Sequence, residues 1–218
     1  MPQPLRYRKG DLDDDPSSAL PSRPHLAVKI AMVTNAWAYL EHQLSLAFVV
    51  LLGGETQAAL DIYTELIDRR LRETAFQAVA RRKLPARMVA QFDTLFRHIR
   101  KVAPARHAVV HGHWATLSTR PKSLLLCNDH VLSQEIRLFF EQIASEPDAE
   151  SGVDARTFEG INKVFMEYRE KDFDDIISRI YVLLDELGPL LGKILRRSSW
   201  RAVEPHMRSS RLRSQKPP

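Results

Sequence analysis

The chain has 218 residues, 44% hydrophobic and 27% charged, with a formal net charge of +5. These are ordinary globular values, which exclude wholesale disorder and leave room for one domain with a sizeable core. The hydrophobic residues never run for the roughly 20 uninterrupted positions that span a bilayer, and the first residues lack an apolar signal region. The one cysteine, Cys127, has no internal disulfide partner, which suits a reducing compartment, so a cytoplasmic location is expected.

The charge is concentrated at one end. Residues 196–218 hold seven Arg and Lys against Glu204, a net +6, so residues 1–195 total −1. The basicity therefore belongs to a tail, expected to be disordered, that would meet phosphates without reading sequence. Residues 1–24 contain six prolines or glycines and few apolar side chains, and read as a flexible, disordered leader.

Beyond Pro24, the residues Leu26, Ile30, Val33, Trp37, Leu40, Leu44, Ala47 and Leu51 recur at steps of three and four. They form one apolar stripe of a long helix that Gly53-Gly54 ends. A second periodic stretch passes through Leu60, Tyr63, Ile67, Leu71, Ala75 and Val79, as one helix or as two joined near Asp68. A third opens at Pro85 and turns Val89, Phe92, Leu95, Phe96, Ile99 and Val102 inward. Pro104 lacks an amide hydrogen, so it kinks this helix or starts a fresh turn, and residues 105–111 are expected at a backbone irregularity.

After Gly112 the pattern changes. Trp114 to Thr119, a turn at Arg120-Pro121-Lys122, and Ser123 to Asn128 read as a β-hairpin. Lys163 to Arg169 alternates as a third strand, with Val164, Met166 and Tyr168 on one face. Gln134 to Ile143 is ambiguous, and Ser145 to Ala155 reads as a polar loop. Asp172 caps a last helix with Phe173, Ile176, Ile180, Leu183, Leu187, Leu190 and Ile194 as its stripe. Gly188-Pro189 is expected to bend or interrupt it. The fold class is mainly α, a helical bundle over 25–195 with a small antiparallel β insert at about 114–169.

The segment with chemical content is Arg106-His107-Ala108-Val109-Val110-His111-Gly112. A histidine titrates near neutrality and can serve in either direction of proton transfer. An arginine stays charged and binds phosphate oxygens through parallel donors. On a regular helix Arg106 and His111 are not on one strip, so a long stem or a break at Pro104 must bring them together. His107, one turn before His111, is placed to orient it. Two other readings compete. His111 could cap the carbonyls of a helix end. Alternatively, His107, His111 and His113 could hold zinc, although the motif contains no carboxylate and His113 falls past the helix.

The string resembles the R-x4–6-H motif of the HEPN superfamily, with His107 at the position often taken by a polar residue. The long flanking helices fit that family's bundle, and the resemblance covers roughly residues 25–112 and 172–195. It implies a metal-independent endoribonuclease that needs no cofactor and leaves 2′,3′-cyclic phosphate and 5′-hydroxyl ends. Arg106, His107 and His111 would be catalytic. By their position, Arg100 and Lys101, just before the motif, either lead RNA phosphates in or simply keep that face soluble, and Arg196 and Arg197 of the basic tail would meet RNA phosphates. Such enzymes act as homodimers with a shared active site, in toxin–antitoxin, anti-phage or RNA-processing settings, so an antitoxin or regulatory protein is an expected partner. The alternative is a non-catalytic HEPN-like module that binds RNA, nucleotide or protein, a reading that the nearly neutral body favours.

Overall fold

In a computed structural model, residues 2–4, 12–13, 16–53, 55–127, 133–134, 137 and 164–197 are described. The chain is mainly helical with a small antiparallel sheet. In chain order the elements are β1 (Gln3–Pro4), β2 (Leu12–Asp13), α1 (Pro16–Ala19), α2 (Pro24–Leu52), α3 (Thr56–Glu65), α4 (Arg69–Lys83) and α5 (Ala86–His111). Then come β3 (His113–Leu117), β4 (Ser123–Cys127), β5 (Phe165–Arg169) and α6 (Glu170–Arg197). Among the described residues no helix is long and apolar enough to cross a membrane.

The chain divides into two compact units, Met1–Trp37 with Val102–Arg179 and Ala38–Lys101 with Ile180–Pro218. The first holds the sheet, in the order β1-β5-β4-β3-β2, with antiparallel pairing throughout. Cross-strand partners face the same side, so the register sorts the strands into two faces. Trp114 lies opposite Leu126, Leu126 opposite Met166, and Leu124 opposite Tyr168. On that face Trp114, Tyr168 and Phe173 of α6 form an aromatic triangle, with ring centroids 5.4–5.7 Å apart. Ala115, Leu117, Leu125, Cys127 and Phe165 build the other face and cluster with Val164. The strand β4 is buried at every position. That explains why its run of Leu124-Leu125-Leu126-Cys127 does not alternate: a central strand covered on both faces has no solvent side to mark.

The predicted third strand is present from Phe165 to Arg169, but Val164 precedes it and packs with Phe165 rather than with Met166 and Tyr168. Glu167 on this strand is buried. It receives Arg120 Nη1 from the hairpin turn and Arg169 Nε at 3.2 Å. Lys29 of α2 binds Asp174 at 2.7 Å and Glu170 at 3.2 Å on α6.

Residues 1–24 are not a structureless leader throughout. Gln3–Pro4 and Leu12–Asp13 pair with β5 and β3 as short edge strands, Pro16–Ala19 forms a helical turn, and Ala19 is fully buried. Two-residue edge strands lack the alternating run that marks a longer strand, which is why composition reads as a leader here. The tail beyond residue 197, and the segments read as ambiguous or loop at 134–143 and 145–155 (apart from Gln134 and Arg137), lie outside the described residues.

The second unit is helical. Its centre is a chain of aromatic contacts, tilted from Tyr63 to Phe48, Phe48 to Phe76 and Phe76 to Phe92, and edge-on from Phe76 to Phe96, with centroids 4.9–6.4 Å apart. Phe48, Phe76 and Phe92 are almost wholly buried, and each such side chain contributes about 1.5–3 kcal/mol of burial. The second periodic stretch is two helices, with Asp68 as the N-cap of α4. Its carboxylate accepts the backbone N–H of Arg70 at 2.5 Å and of Leu71 at 3.2 Å. This break resets the helical phase. Ile67 and Leu71, expected in the stripe, are instead 87% and 56% exposed, and Phe76 and Ala80 are buried.

Gly53 ends α2 with φ of +72°, a conformation that suits glycine, and its N–H donates to the Val49 carbonyl at 3.1 Å. The last helix begins at Glu170 rather than at Asp172. Asp172 sits in the first turn, and its carboxylate reaches back to accept the Arg169 N–H at 2.9 Å, half of a capping box. The same helix runs uninterrupted through Gly188-Pro189, with Pro189 exposed so that water can serve the carbonyl that loses its partner.

Candidate functional site

The motif occupies the last turn and a half of α5. This helix is continuous from Ala86 to His111 with Pro104 inside it, so Pro104 does not start a separate helix before the motif. Pro104 is exposed, and the Arg100 carbonyl that it cannot satisfy lies on the solvent side. Helical geometry then dictates where the motif side chains go. Val102, Ala103 and Val109 are buried, and Arg106 falls on the same side, half-buried. His107 and His111 are both exposed, one turn apart.

Two of the three candidate catalytic side chains are therefore brought together, and the third packs on a residue of α2. The rings of His107 and His111 have centroids 4.6 Å apart and are tilted by 43°. Arg106 sits about 100° around the helix from His107 and about 140° from His111. Its guanidinium carbon lies 5.6 Å above the Trp37 ring of α2, a cation–π contact. The Arg106 Nε is buried without a hydrogen-bond partner. Trp37 enters the sequence reading only as a member of a helical stripe. Its role as the platform for Arg106 comes from a pairing 69 positions apart, which no local pattern announces.

Helix α5 stops where it does because of the residue after His111. The Gly112 N–H donates to the Ala108 carbonyl at 2.9 Å and closes the last turn. A Cβ on Gly112 would collide with Leu126 Cδ1 and lie 2.8 Å from that same carbonyl oxygen. Gly112 is therefore a close-approach glycine that lets the helix end press onto β4 and the chain turn directly into β3. His111 thereby stands at the junction where α5 gives way to β3. The third histidine considered for zinc, His113, starts β3 and is exposed. Among the described residues no three His, Cys, Asp or Glu side chains are arranged to share a metal ion.

The four basic residues expected to guide RNA belong to the second unit. Arg100 is tied by its Nη1 to the largely buried carboxylate of Glu73. Its charge is thus partly committed to joining α4 to α5. Lys101 is exposed, and Arg196 and Arg197 are exposed in the last turn of α6, where cations complement the helix dipole. A pair absent from the sequence reading is His98 and Glu186. They lie 88 positions apart, and the imidazole Nδ1 is 3.0 Å from both carboxylate oxygens.

No family model, curated protein or solved structure matches this chain.

Proposed function

We propose that the chain is a metal-independent endoribonuclease whose proton transfers occur at His107 and His111. The observation that carries this reading is the juxtaposition of two exposed imidazoles, 4.6 Å apart, at a helix end. Cleavage by the neighbouring ribose needs one group to take the 2′-hydroxyl proton while that oxygen attacks phosphorus. A second group must protonate the 5′-oxygen as its bond to phosphorus breaks. Two imidazoles, one neutral and one protonated, supply both from one chain, and the ends left are a 2′,3′-cyclic phosphate and a 5′-hydroxyl. Arg106 contributes positive charge from the adjoining face of the helix. A homodimer with facing motifs belongs to the same reading, and light scattering of the purified protein tests it.

The chemistry is tested by incubating the purified chain with mixed RNA in the presence of a chelator and identifying the ends formed. His111→Ala and His107→Ala should each lower the rate roughly 10²–10⁴-fold while the chain stays folded. Wild-type cleavage at full rate by folded His111→Ala would show that the motif is not the catalyst.

The position of Arg106 favours a second reading, a non-catalytic RNA-binding module. A guanidinium held over Trp37, with its Nε buried, is committed to that contact and serves as a fixed charge. On this reading no RNA is cut by any variant, and Arg106→Ala weakens RNA binding, with Arg106→Lys restoring charge but not the planar stacking on Trp37.

A further inference from the structure

In the second unit, α5 and α6 enclose an open cleft of about 540 Å³, within the range of sites that hold small molecules. Its two ends differ chemically. At one end His98 faces Glu186, with Nδ1 3.0 Å from each carboxylate oxygen. An ionised carboxylate can only accept, so Nδ1 donates to it, and in the neutral imidazole Nε2 is the acceptor that remains, on a residue that lines the cleft. At the other end Lys193 Nζ is 3.5 Å from Gln91 Oε1, and Arg87 stands one turn beyond Gln91.

The spacing sets the length. Gln91 precedes His98 by two helical turns, and Lys193 follows Glu186 by two turns, so the ends are about 10 Å apart along the helices. Between them the floor is Leu95, Leu190 and Pro189, an apolar strip. A structural ion pair alone would explain His98 with Glu186. It would not explain why two cations and an apolar floor share the same cleft with an oriented imidazole.

We propose that this cleft binds a small organic acid or phosphate monoester with an apolar body. Arg87 and Lys193 hold the oxyanion, Leu95, Leu190 and Pro189 cover the body, and His98 Nε2 accepts a hydrogen bond from a hydroxyl at the far end. The ligand's length is about 10 Å, the two-turn separation of the polar ends. This site is independent of the ribonuclease reading, since it shares no residue with Arg106, His107 or His111.

The test is a titration of the full-length protein with para-hydroxyphenylpropionate and, separately, with para-hydroxyphenethyl phosphate, followed by the nitrogen resonances of His98. Saturable movement of the His98 resonances is expected with at least one probe, and the tighter one identifies carboxylate or phosphate as the preferred oxyanion. Lys193→Ala and Arg87→Ala should each weaken binding roughly tenfold, the loss of a charged hydrogen bond. Phenylpropionate, which lacks the hydroxyl, should bind roughly threefold more weakly than its hydroxylated counterpart. Arg97→Ala, an exposed cation on α5 outside the cleft, should leave the affinities unchanged. The proposal is overturned if neither probe saturates, or if Arg97→Ala weakens binding as much as Lys193→Ala does.

Discussion

Replacing Gly112 by alanine adds one methyl group at the tightest junction of the motif. That carbon would meet Leu126 Cδ1, lie 3.1 Å from Leu126 Cγ and sit 2.8 Å from the Ala108 carbonyl oxygen. The leucine can be discounted in part, because a side-chain end can rotate. The rotation is costly here, since Leu126 is 5% exposed and held between Trp114 and Met166 in the sheet register. The carbonyl cannot move away, because it accepts the Gly112 N–H at 2.9 Å and closes the last helical turn. A comfortable C···O contact is about 3.3–3.6 Å, so the helix end must shift by roughly half an ångström. Overpacking of this kind costs about 1–3 kcal/mol, which for a chain of this size lowers Tm by roughly 2–12 °C. The internal control is Gly192→Ala. Outside its neighbours and its own helix backbone the added carbon meets only the tip of the flexible Arg196 side chain, at 3.7 Å, and glycine inside a helix is about 0.5–1 kcal/mol less stable than alanine. Thermal unfolding followed by far-ultraviolet circular dichroism should thus move the two variants in opposite directions. If Gly112→Ala melts within a degree of wild type, the close approach of α5 to β4 is not a constraint and the account of the motif glycine fails.

Two tyrosines report on burial at high pH. Desolvation pushes Tyr63 and Tyr168 up from 10 to about 12, so the folded chain keeps both phenolic protons where the unfolded chain loses them. Their contribution is complete below pH 10 and is lost between pH 10 and about 12. Tyr63→Phe and Tyr168→Phe should each flatten the fall of denaturant midpoint over that window, and an unchanged slope in the double variant would contradict the burial of both hydroxyls. Among the described residues, Arg120→Ala leaves the buried Glu167 carboxylate with the exposed Arg169 alone, and should cost about 3–5 kcal/mol in urea unfolding. Removing the carboxylate as well, in Arg120→Ala with Glu167→Leu, should recover most of that loss. If the double variant is no more stable than Arg120→Ala alone, the carboxylate was never an unpaired burden.

The long helices were legible in the sequence because each carries its burial pattern locally. Leu26 to Leu51 on α2 and Phe173 to Ile194 on α6 repeat at helical steps, and those side chains are buried with few exceptions, Ile30 being half-exposed. The hairpin was legible for the same kind of reason, as its turn residues sit between two short apolar runs that pair in the register Trp114 to Leu126. Where several local forces compete, the local pattern does not decide the outcome. Pro104 and Pro189 are breakers by intrinsic preference, yet both helices continue through them, with each ring exposed and the apolar stripe on the other side still buried. Stripe burial outweighs one missing hydrogen bond when water can reach the orphaned carbonyl. Asp68 illustrates the opposite outcome, since its side-chain cap starts a new helix and releases Ile67 and Leu71 from the core.

The motif divides along the same line. That residues 106–111 carry an arginine and two histidines one turn apart is a property of the sequence, and helical spacing alone brings His107 beside His111. Tertiary structure decided that Arg106 turns to Trp37, that Arg100 is partly committed to Glu73, and that His98 meets Glu186. Each of these pairs joins residues 27 to 88 positions apart. Local periodicity says which face of a helix is buried, but not which residue of another helix arrives to cover it. That choice depends on how the apolar stripes pack, and so it exists only once the chain has folded.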